Sequence, residues 1–512
     1  MRSGLRFFRS GDAAILAVLG EGISEEVNDR VMALYRAVLR ANVPQIVEAV
    51  PSYTSLLVHY RPELASYADM QDLLVSLAES PAEETAAKPH TVEVPVCYGL
   101  HFGPDLWEME KELGLSRREI IDIHSGRDYR VYMMGFLPGF VYLGGMDERI
   151  AFPRLKKPRL HIDAGAVGIA GSQTGIYPSA SPGGWRIIGR TPMRMFDPEA
   201  DPPVPVRPGD FIRFVPISVD EYYDLNARSP KRPEKPKHAQ ELSSGGLCLK
   251  ILTPSPLCTV QGGGHSGAQA FGMTEGGAMD RASLSLANSL VGKEETADAL
   301  EITLAGGTFE AEGEGFVAVT GADMNPCLNG SPVPMNEAIP VQSGDKLQLE
   351  PAIRGVRTYI AVSGLQQAAE GLKSPENGAF DGTTVLQRLA DAADAQGVTT
   401  VRFLFGPQDS RFSTEAKKTF TESVFTIGAA SDRMGYRLEG PKIGAEGGTD
   451  ILSDGICFGS VQIPSDGQPI VMMADHQTTG GYAKIATVLR CDLPLLAQLG
   501  PGKKIRFCEA KG

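Results

Sequence analysis

Apolar positions change period within the first sixty residues. Residues 13–19 are a short continuous apolar run, the length and character of a buried strand. From Val27 onward, Val31, Leu34, Tyr35, Val38 and Leu39 return at three- and four-residue steps, which puts them on one face of a helix. Ser24 suits the N-cap of that helix, and Glu25 and Glu26 suit its positive end. Residues 53–60 have the composition of a strand, and this α/β unit is expected to end near Ser80. Residues 81–90 read as a polar joint. Beyond it strand-and-turn composition dominates, with helices predicted over 104–113 and 117–124. The second half reads as short strands with one firm helix over 281–291, capped by Asp280 and stopped by Gly292. Residues 366–394 fit neither period and read as an insertion.

A seam divides the pattern. Residues 229–246 contain three prolines and four Lys/Arg with almost nothing apolar to bury, so they read as a linker. The expected organisation is a small α/β domain over 1–80, a barrel over 90–225, a linker over 226–246 and a second large unit over 247–512.

Composition changes this picture in a few places. The 58 glycines and 36 prolines follow no Gly-X-Y period and point to many tight turns between strands. The net charge of −13, without a basic stripe, argues against a nucleic-acid partner. Seven scattered cysteines without a C-x-x-C pair imply neither a disulfide framework nor a zinc ribbon. No apolar run approaches 18 residues, so a soluble, cytoplasmic protein without a membrane partner is expected.

Two internal echoes suggest that the halves are related barrels. Pro205-Val-Arg-Pro-Gly-Asp210 is repeated at Pro340-Val-Gln-Ser-Gly-Asp345, with a looser copy at residues 500–507, each a turn leading into an alternating strand. Gln173-Thr-Gly-Ile-Tyr177 is paired with Gln477-Thr-Thr-Gly-Gly-Tyr482.

Candidate chemistry gathers in the same regions. Residues 164–190 are rich in Gly, Ala and Ser between strand-like flanks, a composition that lets main-chain N–H groups approach an anion. Gln173, Thr174 and Tyr177 would add donors, and Arg190 a cation; tight hairpin packing is the other reading. Gly139 lies in a Gly-Phe-Leu-Pro-Gly stretch that suits close backbone approach, and Arg159 is either a cation for an anionic substrate or part of a surface ion pair. In the second half Asp432 and Arg433 stand side by side. Asp475, Gln477, Thr478, Thr479, Gly480 and Lys484 combine a carboxylate, hydroxyls, a diglycine turn and an ammonium. That set suits the handling of a magnesium nucleotide, with Asp475, Asp432 and Arg433 in catalytic roles; a buried polar network that fixes the fold is the alternative. No P-loop, G-x-S-x-G elbow or H-E-x-x-H motif occurs, and no metal ligand is identified.

At these motifs the chain resembles two known families. Gly11-Asp-Ala-Ala14, Val50-Pro-Ser-Tyr53, Pro95-Val-Cys-Tyr-Gly99, Gly135-Phe-Leu-Pro-Gly139 and the stretches from Gly168 to Pro192 make residues 1–225 similar to the B subunit of bacterial ATP-dependent 5-oxoprolinase, the Kip-inhibitor or allophanate-hydrolase-subunit-1 family. Gly276-Gly-Ala-Met-Asp-Arg281, Leu300-Glu-Ile-Thr-Leu304 and residues 431–437 and 475–488 make 247–512 similar to the C subunit, the Kip-antagonist or subunit-2 family. The resemblance implies a mixed α/β, β-rich fold, with two cyclophilin-like β-barrels preceded by a small α/β domain. It implies ATP-driven opening of the 5-oxo-L-proline lactam to L-glutamate with ATP, Mg²⁺ and a separate A subunit. Self-association is left open. Two other activities attach to these families: the carboxyltransferase part of a biotin-dependent urea carboxylase, although this chain has no Met-Lys biotinylation site, and non-catalytic inhibition of a kinase. One departure stands out. C-subunit relatives carry Gln-Asp-x-Gly-Arg near the start of the domain, where this chain has Gln261-Gly-Gly-Gly-His265.

Overall fold

The computed structural model describes residues 4–80, 89–155, 157, 159–228, 241–253, 255–366, 368 and 383–510. Most of the expected linker, most of the polar joint at 81–90 and much of the expected insertion lie outside those residues.

The Ser24 hydroxyl accepts from Val27 N at 3.3 Å, and the helix Glu25–Ala41 starts from this cap. Val31, Leu34 and Val38 on its apolar stripe pack on a four-stranded antiparallel sheet ordered Arg6–Arg9, Ala14–Val18, Ser55–Tyr60, Ile46–Pro51. A second helix, Tyr67–Glu79, shares that face through Met70 and Leu74. The other face carries Ala14, Leu16, Val50 and Leu57 and packs on Cys457 of the C-terminal half. Glu48 and His59 are cross-strand partners on this second face.

Two closed seven-stranded barrels follow. Around the first, the strands run Thr91–Tyr98, Arg186–Arg190, Ala166–Ala170, Gln173–Ile176, Val141–Gly144, Asp128–Met134 and Phe211–Pro216. Around the second they run Val398–Phe405, Lys484–Val488, Ser460–Gln462, Ile470–Met472, Gly435–Glu439, Val424–Ile427 and Lys504–Glu509. The circuits match position by position, and each closes by pairing its last strand parallel to its first. Each also has a two-stranded ribbon in the same two connections: Arg159–Ile162 with Ser181–Gly183, and Asp450–Gly455 with Thr479–Tyr482. Between the barrels, a six-stranded and a five-stranded sheet enclose a core that includes Leu249, Phe309, Val319, Leu347 and Ile360. The helix Arg281–Leu290 lies on the five-stranded sheet, with the Asp280 carboxylate accepting from Ser283 N at 2.9 Å. Among the described residues no helix is long and apolar enough to cross a membrane.

The echoes need correction. Asp210 and Asp345 close the same turn, each accepting from the amide three residues back, Arg207 N at 2.9 Å and Gln342 N at 2.8 Å. The strands that follow nevertheless belong to different folds: Phe211–Pro216 closes the first barrel, whereas Lys346–Gln348 lies in the six-stranded sheet. The loose copy at 500–507 is the topological match, since it leads into Lys504–Glu509. The other echo is out of register. Gln173 lies on a barrel strand whose counterpart is Ile470–Met472, while Thr479–Tyr482 corresponds to the ribbon strand Ser181–Gly183.

The first barrel encloses a satisfied polar chain. Thr174 Oγ1 donates to Gly168 O at 3.0 Å, so it accepts from His124 Nε2–H at 2.9 Å, and His124 Nδ1 accepts from Tyr98 O–H at 2.8 Å. Burial lowers the His124 pKa from 6.5 to about 3. The folded state therefore binds fewer protons here than the unfolded chain, and the contribution is complete above about pH 6.5 and lost as pH falls toward 3. We expect His124→Gln to flatten the acid limb of stability against pH by up to about 1.4 kcal/mol per unit. Urea unfolding at a series of pH values checks this; an unchanged acid slope would exclude His124 as the titrating group.

Candidate functional site

The free face of the N-terminal sheet does not close completely on the C-terminal half. A cleft of about 960 Å³ remains, lined by Glu48, His59, Gly264, Glu275, Arg281 and Phe458 among others. Glu48 is 7% exposed and its carboxylate accepts from Gly267 N (3.0 Å), Gln269 N (3.1 Å) and Gln269 Nε2 (2.6 Å). A strand of the first half thus fixes a loop of the second. His59 Nε2 is buried without a hydrogen-bond partner. Arg281 opens its helix with Nη1 on Glu275 Oε1 at 2.8 Å and its guanidinium 5.5 Å from the Phe458 ring centroid. Its Nε is buried and unpartnered, and Nη2 reaches Gly276 O only at 3.5 Å. Burial works to raise the Glu275 pKa, but the Arg281 guanidinium outweighs it and holds the carboxyl below its ordinary range. Burial lowers the His476 pKa, and its neutral ring donates from Nδ1 to Gln477 O at 2.7 Å. At the rim Arg490 pairs with Glu63 at 2.8 Å, and its main-chain N donates to Asp12 at 3.1 Å.

Glycine is required where the loop crosses itself. Gly277 has φ +77°, and a Cβ there would stand 2.5 Å from Gly264 N. At Gly262 an added Cβ would stand 2.6 Å from Asp298 Oδ1, so the Asp298 carboxylate lies beside this turn.

The structure brings Arg433 and Asp475 together but places neither on the cleft wall. Arg433 takes the Asp475 carboxylate through Nε (2.7 Å) and Nη2 (2.9 Å), Glu301 through Nη1 (2.6 Å) and Gly277 O through Nη2 (2.6 Å). Glu301 also accepts from Met279 N at 3.0 Å and Tyr359 Oη at 2.6 Å. This network holds the segment that ends in Arg281. Asp432 closes a turn by accepting from Met434 N (2.8 Å) and Gly435 N (3.1 Å). Lys484 is buried in an ion pair with Asp454, whose second oxygen accepts from Gln408 Nε2 at 2.8 Å. Thr479 packs against the first barrel, where a Cβ at Gly135 would overlap its Oγ1, and Gly139 N donates to Phe271 O at 2.9 Å. Gln477, Thr478 and Gly480 lie on the approach to and start of the ribbon, Thr478 O accepting from Ile456 N at 3.0 Å.

The segment 164–190, expected to form an anion-binding concavity, is taken up by strands. The segment folds into three barrel strands and a ribbon strand. Thr174 is part of the barrel's internal chain, Gln173 starts a paired strand, and Tyr177 is buried with its ring centroid 5.1 Å from that of Phe140. Arg190 is paired with Asp163 at 2.7 Å and Ala164 O at 2.9 Å, and Arg159 with Asp105 at 2.6 Å. Small residues serve packing here: a Cβ at Gly175 would lie 3.0 Å from the Trp185 ring. These residues do not fit magnesium and ATP. Arg159, Arg190, Arg433 and Lys484 all face carboxylates, and among the described residues no three His, Cys, Asp or Glu side chains converge on a metal position. Sequence reasoning passed over Glu48 and His59; the available signal was a polar residue at an inward position of an otherwise apolar strand.

Two matching barrels with a cleft between the halves define a carboxyltransferase-type architecture. Residues 5–206 match the family described as carboxyltransferase domain, subdomain C and D, and residues 271–377 and 368–509 match carboxyltransferase domain, subdomain A and B; the chain belongs to this family. Its first half is 43% identical over 233 residues to the B subunit of 5-oxoprolinase from Bacillus subtilis, covering 43% of this chain and 95% of that protein. Its second half is 35% identical over 281 residues to the C subunit of 5-oxoprolinase from Escherichia coli, covering 51% of this chain and 91% of that protein. The crystal structure of TTHA0988 superimposes with a TM-score of 0.81 at 32% identity, covering 97% of this chain and 99% of that one. Urea amidolyase of Lachancea kluyveri is more distant, 26% identical over 51% of this chain and 17% of its own length.

The network predicts an order of stabilities. Arg433→Met leaves Glu301, whose side chain is 2% exposed, without its shortest cationic contact, and should cost about 3–5 kcal/mol. Asp475→Asn should cost about 1 kcal/mol or less, because Asp475 is 38% exposed and Arg433 keeps Glu301. Urea denaturation of both variants checks the order, and equal losses would contradict it.

Proposed function

We propose that this chain is the fused B and C component of a cytoplasmic, ATP-dependent 5-oxoprolinase, working with a separate A-type partner protein to open 5-oxo-L-proline to L-glutamate. The observation that carries the reading is a cleft walled by both halves, each half being similar to one named 5-oxoprolinase subunit over almost all of that subunit's length. 5-Oxoproline presents a carboxylate and a neutral lactam on a small ring. Arg281 lines the cleft as a cation suited to the carboxylate, and Phe458 suits the apolar ring face. Asp475 and Arg433 then act as positioning residues for the 276–281 segment. Magnesium ligation is assigned to the partner, since the described residues offer no suitable set. The biotin-dependent carboxyltransferase reading draws support from the more distant urea amidolyase relatives.

Glutamate release and ATP hydrolysis, measured with and without a purified A-type partner, test the proposal. Arg281→Gln should raise KM for 5-oxoproline about tenfold or more, the loss of one charge-assisted contact. Carboxyl transfer from carboxybiotin to urea without glutamate release would replace this reading with the alternative.

A further inference from the structure

We infer that Glu48 is a positioning residue for substrate binding: across the contact between the halves it fixes the loop whose closing residue, Glu275, holds Arg281 in the cleft wall; this rests on the reading just given. Glu48 is on the strand Ile46–Pro51. Among the described residues every donor to its carboxylate belongs to the other half, Gly267 N at 3.0 Å, Gln269 N at 3.1 Å and Gln269 Nε2 at 2.6 Å. A carboxylate buried on an apolar sheet face adds little stability beyond that of an apolar residue of its size, because its desolvation offsets its bonds. What it adds is register, since the three donors meet it in one arrangement of the loop.

The path from Glu48 to Arg281 is continuous. His265 N donates to Glu275 O at 2.7 Å and closes the base of the loop; inside it Gly272 N donates to Gln269 O at 2.9 Å and Met273 N to Ala268 O at 3.3 Å. Glu275 then takes Arg281 Nη1 at 2.8 Å, and the Arg281 side chain, 38% exposed, lines the cleft. The loop is costly to order by itself. Gly264 and Gly267 have φ of +92° and +89°, and glycine loses more freedom on ordering than any other residue. Gly139 N, donating to Phe271 O at 2.9 Å, ties the later part of the loop to the first barrel, and Glu48 ties residues 267–269 to the N-terminal sheet.

A guanidinium recognises a carboxylate by direction as well as by charge, so displacing Glu275 weakens substrate binding first and reads as KM rather than kcat. The charge of Glu48 is not itself required. In Glu48→Gln the amide oxygen can accept from Gly267 N and Gln269 N. Its NH2 group can donate to Gln269 Oε1, now buried without a partner, once that side-chain amide turns over. Removal of the side chain leaves the loop without any of the three bonds.

The test uses the full chain with its A-type partner. Glu48→Ala should raise KM for 5-oxoproline about fivefold or more with kcat within about threefold, and Glu48→Gln should return KM to within about twofold of wild type. In the Arg281→Gln background Glu48→Ala should add less than about twofold, because a residue acting through Arg281 has nothing left to position there. Lost stability alone would instead lower kcat with the amount of folded enzyme. Unchanged KM in Glu48→Ala, or full additivity with Arg281→Gln, overturns the inference. Should Glu48→Ala not fold, Gln269→Ala removes one of the three bonds and should raise KM about twofold to threefold, again without adding to Arg281→Gln; an unchanged KM there overturns it equally. Wild-type turnover with unchanged KM in these variants removes this inference but keeps the proposed function. Without turnover, calorimetric titration of the chain with 5-oxoproline decides. Affinity lowered in Glu48→Ala keeps the positioning role and removes the proposed reaction, whereas equal or absent binding removes both.

Discussion

One buried carboxylate organises the meeting of the halves. Glu48 enters a nearly dry face and must find donors, because an unpaired carboxylate there would cost several kcal/mol, of the order found for broken buried pairs. It finds three on residues 267–269 of the other half. Glu301 does the same for residues 277–280 through Arg433, Met279 and Tyr359. The loop between these two acids carries Glu275, and Arg281 follows directly after it. A glycine-rich segment that would be costly to order alone is thus clamped at both ends, and the groups between the clamps face the cleft.

The two barrels share a circuit but fill it differently. Arg186 and Lys484 open equivalent strands, and each is neutralised, Arg186 by Glu108 at 2.6 Å and Lys484 by Asp454. The first barrel adds a neutral chain through Tyr98, His124 and Thr174. Cations in these positions serve the barrel walls. An acid supplied by a neighbouring segment consumes their charge, which is why a cationic residue in a glycine-rich stretch was a poor guide to an anion site.

Local features were legible in the sequence and long-range register was not. Ser24 and Asp280 cap helices by contacts within three residues, so their sequence context suffices. The helix Tyr67–Glu79 escaped notice because just two of its side chains, Met70 and Leu74, are buried, although Ser66 and Asp69 form a capping box. Pro-Val-x-x-Gly-Asp encodes a turn and says nothing about which sheet receives the next strand. Glu48 and His59 acquire meaning through a cross-strand pairing and through residues more than two hundred positions away in the chain, information that no short window contains.

The contact between the halves is a fitted surface rather than a hinge. A Cβ at Gly272 would stand 2.6 Å from Leu137 O, one at Gly455 would stand 2.6 Å from Leu57 Cβ, and one at Gly135 would overlap Thr479. Fits this close at two separated places, around Gly135–Leu137 and at Leu57, together with the Glu48 bonds, tie the halves into one arrangement. Access to Arg281 then comes through the mouth of the cleft. There the Arg490–Glu63 pair, with side chains 50% and 62% exposed, is weak enough to part for a charged ligand. The seam and the rim differ in kind: the first holds Glu48 and the 267–281 segment in register, and the second is an exposed ion pair screened by solvent.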